Sequence, residues 1–303
     1  MTAYRFCRSD DVPLIVDAYE RCNVGAGARP WRMTVDHMKR LGREMNLWTS
    51  SCMVAFEGSD PIGVLIAAKR EPIASLVLHV AVHPDHRRRG HGRHMMTSLS
   101  QKMAILEPTL MLVELPEDDA LGRRFFEACG FTRRDVLTDY TCAAEAPAGG
   151  VDPVGGVDLV ADVAAAELVS QEDFEAVPEL DRCWQRAPQS IRNLRDRPQG
   201  LAIATDRDFE AYLLHRGDGD ADNPLPFLAT PPPGTPLEVL ALGGKTPVPA
   251  LVRPLFAVAS DHAGRSLHLP RVHPSEVPAG RLEEYGFRPG SRTIRYESDA
   301  APA

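Results

Sequence analysis

Val80-Ala81-Val82-His83-Pro84-Asp85-His86-Arg87-Arg88-Arg89-Gly90-His91-Gly92-Arg93-His94 is the stretch that decides how the rest of this chain is read. Before it, the β-rich run Leu76–Val82 predicts a strand that stops at Pro84. After it, Met95, Met96, Leu99 and Met103 recur at helical spacing through about Ile105, a stripe that reads as core. A strand therefore passes through a tight turn directly into a helix. Gly90 and Gly92 let the backbone approach a ligand without a Cβ in the way, and a helix start directs unpaired N–H groups and the positive end of its dipole outward. Such a turn suits a phosphate or pyrophosphate.

Working outward, alternation at Tyr4–Arg8 predicts a first strand, followed by a helix to about Cys22 and a second helix capped by Thr34 and running through Met45. Cys52–Phe56 and Ile62–Ala68 read as strands joined at Gly58-Ser59-Asp60-Pro61. Beyond the turn helix come a strand over Thr109–Leu115, a helix from Asp118 or Asp119 to Cys129 stopped by Gly130, and a strand over Phe131–Cys142. This order predicts an α/β fold with a mixed, mostly antiparallel central sheet flanked by helices.

Arg87-x-x-Gly90-x-Gly92 after a strand ending Val82-His83-Pro84, with Gly130-Phe131 at a later helix–strand junction, resembles the coenzyme A loop of the GNAT N-acyltransferase superfamily over residues 4–142. The resemblance implies an acyl-CoA co-substrate, acetyl-CoA or another, with no metal. It implies that main-chain groups of Val80, Ala81 and Val82 receive the pantetheine arm where the fourth and fifth strands splay. It also implies that the amides from Arg88 through Arg89, Gly90, His91, Gly92 and Arg93 surround the pyrophosphate, with Arg87, Arg88 and Arg89 adding charge.

Transfer of an acyl group to an amine needs a proton acceptor and a donor for the leaving thiolate. Glu114 is a carboxylate inside the apolar run Leu110–Leu115, which suits a residue facing a cleft and acting as base. His79, on the strand leading to the turn, is the alternative base. Where many GNAT enzymes carry a tyrosine that protonates the thiolate, this chain has Phe126, which is left to line the thioester channel. Asp119 stands where the family often has an asparagine, so the resemblance counts Asp119 and Phe126 among the cofactor-binding residues. Tyr140, Cys129 or water remain as acids. The acceptor expected is a small-molecule or peptide amine, and Trp31 and Arg32 lie in the loop that shapes its choice in this family. The alternative function is non-catalytic acyl-CoA binding, as a sensor or assembly module.

His79, His83, His86, His91 and His94 fall close together, but no thiol or compact acidic set completes a metal site. The net charge of −8 lies in the second half: residues 1–150 carry 19 basic and 19 acidic residues, the remainder 15 and 23. A neutral first half with one basic cluster points away from nucleic acid. No window reaches the roughly 18 apolar residues of a membrane span. Six cysteines without a C-x-x-C spacing read as reduced thiols, so a cytoplasmic protein is expected.

With 303 residues, two domains are expected. The Pro- and Gly-rich stretch 146–156 reads as a linker between a GNAT-like module over 1–145 and a second over 157–303. After it the element order repeats: a helical stretch from Ser170 to about Arg186 broken near Pro178, a shorter one after Ser190, strands at Leu201–Thr205, Phe209–His215 and Leu237–Leu242, a helix over Val248–His262, a strand over Ser266–Val272, a helix ending at Tyr285 and a strand near Thr293–Ser298. Arg281-Leu282-Glu283-Glu284-Tyr285-Gly286-Phe287 matches Phe125-Phe126-Glu127-Ala128-Cys129-Gly130-Phe131, which indicates a diverged duplication. The second turn, Gly243-Gly244-Lys245-Thr246-Pro247-Val248-Pro249, lacks the glycine spacing, and two prolines remove N–H groups. This module is expected not to hold coenzyme A and to serve as a structural partner domain; the alternative is that the stretch containing Trp184, Arg186, Arg192 and Arg195 forms a wall of the acceptor cleft.

Overall fold

A computed structural model describes residues 2–23, 32–70, 74–106, 110–143, 158–163, 165–168, 177–194, 198–205, 209–216, 236–245, 249–263 and 266–299. In the first half the elements are β1 (Thr2–Phe6), α1 (Val12–Cys22), α2 (Val35–Glu44), β2 (Met53–Glu57), β3 (Asp60–Arg70), β4 (Ala74–Val82), α3 (His91–Leu106), β5 (Leu110–Pro116), α4 (Ala120–Ala128) and β6 (Thr132–Cys142). In the second they are β7 (Asp158–Val163), α5 (Ala165–Leu168), α6 (Pro188–Arg192), β8 (Gln199–Ala204), β9 (Phe209–His215), β10 (Leu237–Gly243), α7 (Pro249–Ala263), β11 (Leu267–Val272), α8 (Ala279–Glu284) and β12 (Arg288–Asp299). The expected mixed α/β architecture is present, with parallel pairing only at β4–β5 and β10–β11 among the registers resolved.

Two compact units divide the chain, but not at the expected boundary. One consists chiefly of Met1–Asp135 and Ile294–Ala303, the other chiefly of Val136–Pro224 and Thr230–Thr293. Within the first, the strands lie in the order β1-β2-β3-β4-β5-β12; within the second, the order is β6-β11-β10-β9-β8-β7. The last strand of each half thus serves the other unit. A strand pattern tells that a segment is extended but not which edge it joins, which is why the division at 145 and 157 differs from that of the fold. The expected linker, 146–156, lies outside the described residues.

In the first unit the sequence dictates most of the packing. Ile15, Ala18, Tyr19 and Cys22 bury one face of α1, and the methionine stripe Met95, Met96 and Met103 with Leu99 buries α3. Gly63 of β3 makes room for that stripe, since a Cβ there would sit 3.1 Å from Met95 Cε. Thr34 caps α2 by accepting from the His37 amide at 3.1 Å.

The second unit repeats the first in local detail. Gly130 and Gly286 end α4 and α8 at φ +88° and +94°. The Phe131 amide then returns to the Phe126 carbonyl at 3.0 Å and the Phe287 amide to that of Leu282 at 2.9 Å, the same C-terminal motif twice. The expected helix to Arg186 is not formed over its described part. Pro178 and Pro188 frame two short 3₁₀ turns, Glu179–Asp181 and Trp184–Arg186, instead.

Candidate functional site

Strand β4 pairs with β5 from Ala74–Leu110 to Val77–Val113 and no further, although β4 runs on to Val82 and β5 to Pro116. The cause is local. Against β3, Ile66 faces His79 and Ala67 faces Val77, so Leu78 is an extra residue in β4. Such a bulge bends and twists its strand, and here it does so where the parallel pairing ends. Val80, Ala81 and Val82 follow it, each half-buried, along the diverging edge. The end of β4–β5 pairing thus coincides with a bulge that the apolar run did not reveal.

The strand then enters the turn. The short 3₁₀ segment Pro84–His86 leads into exposed Arg87, Arg88, Arg89 and Gly90. Arg88 and Gly90 both lie in the left-handed region, at φ +64° and +88°. A Cβ at Gly90 would meet no atom within 4 Å, so the left-handed conformation, not protein packing, accounts for glycine there. Gly92 has a different reason: its Cβ would lie 3.0 Å from Phe125, so this glycine lets α3 pack on α4. The first α3 hydrogen bond is His94 amide to Gly90 carbonyl, 3.0 Å, which leaves the preceding amides of the first turn pointing out of the helix.

Several side chains brace this turn from outside. Arg87 Nε donates to the Val82 carbonyl at 2.9 Å, tying the turn to the strand end. Arg93 Nη2 donates to the Ala128 carbonyl at 2.6 Å. His91 is buried, with Nδ1 2.6 Å from the Tyr4 hydroxyl, and the Tyr4 ring lies 3.9 Å from that of His94. His91 and His94 are thus packing and bracing groups, and among the described residues no three His, Cys, Asp or Glu gather as a metal site.

Glu114 is the first β5 residue beyond the last pair with β4. Its Oε1 accepts from Arg295 Nη2 at 2.9 Å and Nε at 3.3 Å, with side chains only 5% and 2% exposed. Arg295 comes from β12, beside β5 in this unit. Its Nη1 also lies 3.8 Å from Asp135 Oδ2, and Arg134 links Asp135 at 2.9 Å to Glu297 at 2.6 Å. Sequence reasoning missed Arg295, and 181 residues of separation leave no local signal that could have found it.

His79 is placed differently. Asn23 Nδ2 lies 2.8 Å from the Tyr19 carbonyl and 3.0 Å from His79 Nε2. A carbonyl only accepts, so that atom is the amide nitrogen, and its second hydrogen points to Nε2. Nε2 is then an acceptor and Nδ1 carries the ring proton, while the Tyr19 ring lies 4.8 Å away. Asp119 caps α4, accepting from the Gly122 amide at 2.8 Å. Phe126 is 6% exposed and packs edge-on against Phe125 and Phe131. Of the other acids considered, Tyr140 belongs to the core of the second unit, and burial raises the pKa of both Tyr140 and Cys129. Trp31 lies outside the described residues. Arg32 Nε stands 3.5 Å from Glu20, whose other oxygen takes the Met33 amide at 2.7 Å.

The corresponding place in the second unit is filled. Pairing of β10 with β11 ends at Glu238–His268, and Leu240 is the extra residue of β10 against β9. Yet Val239, Leu240 and Ala241 are completely buried. Arg186 Nη1 donates to the Leu240 carbonyl at 3.2 Å and Nη2 pairs with Glu276, which also takes Arg182 Nη1 at 3.2 Å. Trp184 and Arg186, the alternative cleft wall, are therefore interior groups, because the 3₁₀ turns carry them inward. Arg192 is exposed and Arg195 lies outside the described residues.

Residues 48–133 match the family model described as an acetyltransferase (GNAT) domain. Among solved structures, a tandem GNAT protein from the clavulanic acid biosynthesis pathway superposes with a TM-score of 0.64 at 16% identity, over 100% of both chains. A GCN5-related N-acetyltransferase from Anabaena variabilis gives 0.66 at 10% identity, over 99% of this chain and 73% of that one. One from Sphaerobacter thermophilus gives 0.61 at 14%, over 100% and 96%.

Proposed function

We propose, from the premise that this chain carries a GNAT acetyltransferase domain within a tandem GNAT fold, that it transfers an acyl group from acyl-CoA to a primary amine in its first unit. The observation that carries the reading is the end of β4–β5 pairing at Val77–Val113, followed by an open glycine turn at a helix start. The pantetheine arm enters the divergence and pairs with the main chain of Val80, Ala81 and Val82. The amides from Arg88 to Arg93 take the pyrophosphate, with the exposed cluster Arg87–Arg89 supplying positive charge. Acetyl-CoA is the co-substrate tested first, and no metal takes part.

In this reading the amine nitrogen attacks the thioester carbonyl carbon directly. The C–N bond forms, the carbonyl oxygen gains charge beside the main-chain amides near Val82, and the C–S bond then breaks. The proton lost by the nitrogen passes to Glu114, directly or through water, and water protonates the thiolate, since Phe126 has no proton to give. His79, whose Nε2 accepts from Asn23, orients the root of the acceptor loop rather than taking the proton. The second unit is a degenerate module that holds no coenzyme A. A small-molecule or peptide amine in the cytoplasm is the proposed acceptor.

The test is thermal stabilisation by coenzyme A and acetyl-CoA, followed by thiol release with spermidine, kanamycin and a peptide with a free N-terminus. Coenzyme A should stabilise the wild type and not Gly90→Asp, and one of these amine classes should release thiol above background. Stabilisation without amine-dependent release favours the second reading, an acyl-CoA-binding module, which the missing hydroxyl at Phe126 supports. No stabilisation at saturating coenzyme A overturns both.

A further inference from the structure

We infer that Arg295, delivered by the last strand of the chain, is a positioning residue of the acyl-transfer site, holding Glu114 ionised and oriented where β5 diverges from β4. The inference rests on the reading of Glu114 as proton acceptor. Glu114 follows Val113, the last β5 residue paired with β4, so it stands at the opening of the divergence. A carboxylate only 5% exposed in an apolar strand would prefer to be neutral, and a neutral acid accepts no proton. Arg295 counters this with two N–H groups, Nη2 at 2.9 Å and Nε at 3.3 Å, both on Oε1. A guanidinium fork fixes orientation as well as charge, which a point cation does not.

The charged groups around the pair carry the argument further. Arg295 Nη1 lies 3.8 Å from Asp135, and Asp135 is held at 2.9 Å by Arg134, which Glu297 holds in turn. Charges therefore alternate outward from Glu114 through Arg295, Asp135, Arg134 and Glu297, and exposure rises from 5% at Glu114 to 35% at Glu297. Arg295 and Glu297 both belong to β12, so the proposed base of the first unit depends on a strand nearly 300 residues from the start of the chain. The catalytic site is incomplete in residues 1–145 alone.

The test compares Glu114→Gln, Arg295→Gln, Arg295→Lys and the double variant Glu114→Gln/Arg295→Gln in the full chain, reading coenzyme A affinity and kcat against pH with acetyl-CoA and the fastest of the three amines. Glu114→Gln should lower kcat by about 100-fold or more, as loss of a general base does. Arg295→Gln should leave coenzyme A affinity within about threefold, lower kcat by about 10–100-fold, and move the acid limb of the kcat profile to higher pH. The sign follows from charge: without the cation the buried carboxyl keeps its proton to higher pH, so the base form appears later. Arg295→Lys should keep the limb near its wild-type position and recover only part of kcat, and the double variant should be no slower than Glu114→Gln. Unchanged kcat and limb in Arg295→Gln, or a double variant whose loss is the product of the two single losses, overturns the inference. Should Arg295→Gln not fold, Arg295→Lys decides: unchanged kcat overturns the inference. If Glu114→Gln keeps full kcat, the reading of Glu114 fails first; if only Arg295→Gln keeps it, the reading of Glu114 stands.

Discussion

The ends of β4 and β10 start from the same local plan and finish as opposites. Each strand carries a bulge, at Leu78 and Leu240, close to where it parts from its parallel neighbour. In the first unit the divergent residues remain half-buried, and Gly90 faces open space. In the second they are completely buried, Arg186 takes the bulge carbonyl, and a Cβ on Gly244 would lie 2.5 Å from both Ala211 Cα and the Glu210 carbonyl oxygen. One glycine faces open space and the other makes room for a neighbouring strand. The two units share the backbone device, and the side chains decide whether it stays open.

The sharpest way to break this comparison is to remove the anion from the filled site. Glu276 is 4% exposed and is the partner of Arg182 and Arg186, themselves 3% and 0% exposed. Glu276→Gln strands two buried guanidinium groups and should cost about 3–5 kcal/mol, by analogy with broken buried ion pairs. Denaturant unfolding reads the loss, and calorimetry should still find one coenzyme A per chain at near wild-type affinity. A second binding site appearing in this variant would mean that the filling alone had closed the second unit.

The two glycines give the next contrast. Gly244→Ala pushes a methyl group into backbone atoms and should destabilise by about 1–3 kcal/mol without altering coenzyme A affinity. Gly90→Asp should cost about 1–2 kcal/mol for its left-handed φ while abolishing stabilisation by coenzyme A, since it sets a carboxylate against the pyrophosphate. Equal effects of the two variants on coenzyme A affinity would end the distinction between an open and a filled turn.

How much of this contrast was legible in the sequence depends on range. The strand–turn–helix unit, the methionine stripe of α3, the Thr34 and Asp119 caps and the Gly130/Gly286 stops all depend on residues a few positions apart, and local pattern found them. The bulges at Leu78 and Leu240 were hidden because an apolar strand reads the same with or without an extra residue. Glu114 was found as an odd carboxylate in an apolar run. Its cation, Arg295, was not, because nothing in a strand pattern says that β12 lies beside β5. Arg186 was misread for a related reason: a charged residue among prolines looks like surface until its counter-ion, ninety residues on, is known.

Buried thiols sharpen the comparison at high pH. Burial pushes Cys7 and Cys52 up to about 12 and Cys22 up to about 11, and all three lie in the first unit. A folded-state pKa above the unfolded value means that the contribution is complete below about pH 9 and is lost between about pH 9 and 12, as the unfolded chain ionises first. By pH 10 each thiol should have removed roughly 1–1.5 kcal/mol. Unfolding free energies of wild type and Cys52→Ala at pH 8 and pH 10 check this: the variant should lose less by about that amount, and parallel losses would refute it.

The smallest effect separates capping from cofactor binding at the start of the two matching helices. Asp119 caps α4, and Gly122 is what permits it, since a Cβ there would lie 2.2 Å from Asp119 Oδ2. Its counterpart α8 begins after Pro278 with no side-chain cap. Asp119→Ala should therefore cost about 1 kcal/mol of stability, the usual worth of such a cap. If capping is the whole of its role, coenzyme A affinity stays within about twofold of the wild type, because a carboxylate already bound to the Gly122 amide has no reason to approach a pyrophosphate. Thermal unfolding with and without coenzyme A measures both quantities at once. A stable variant with markedly weakened coenzyme A binding would return Asp119 to the cofactor site and make the two helix starts differ in function as well as in capping.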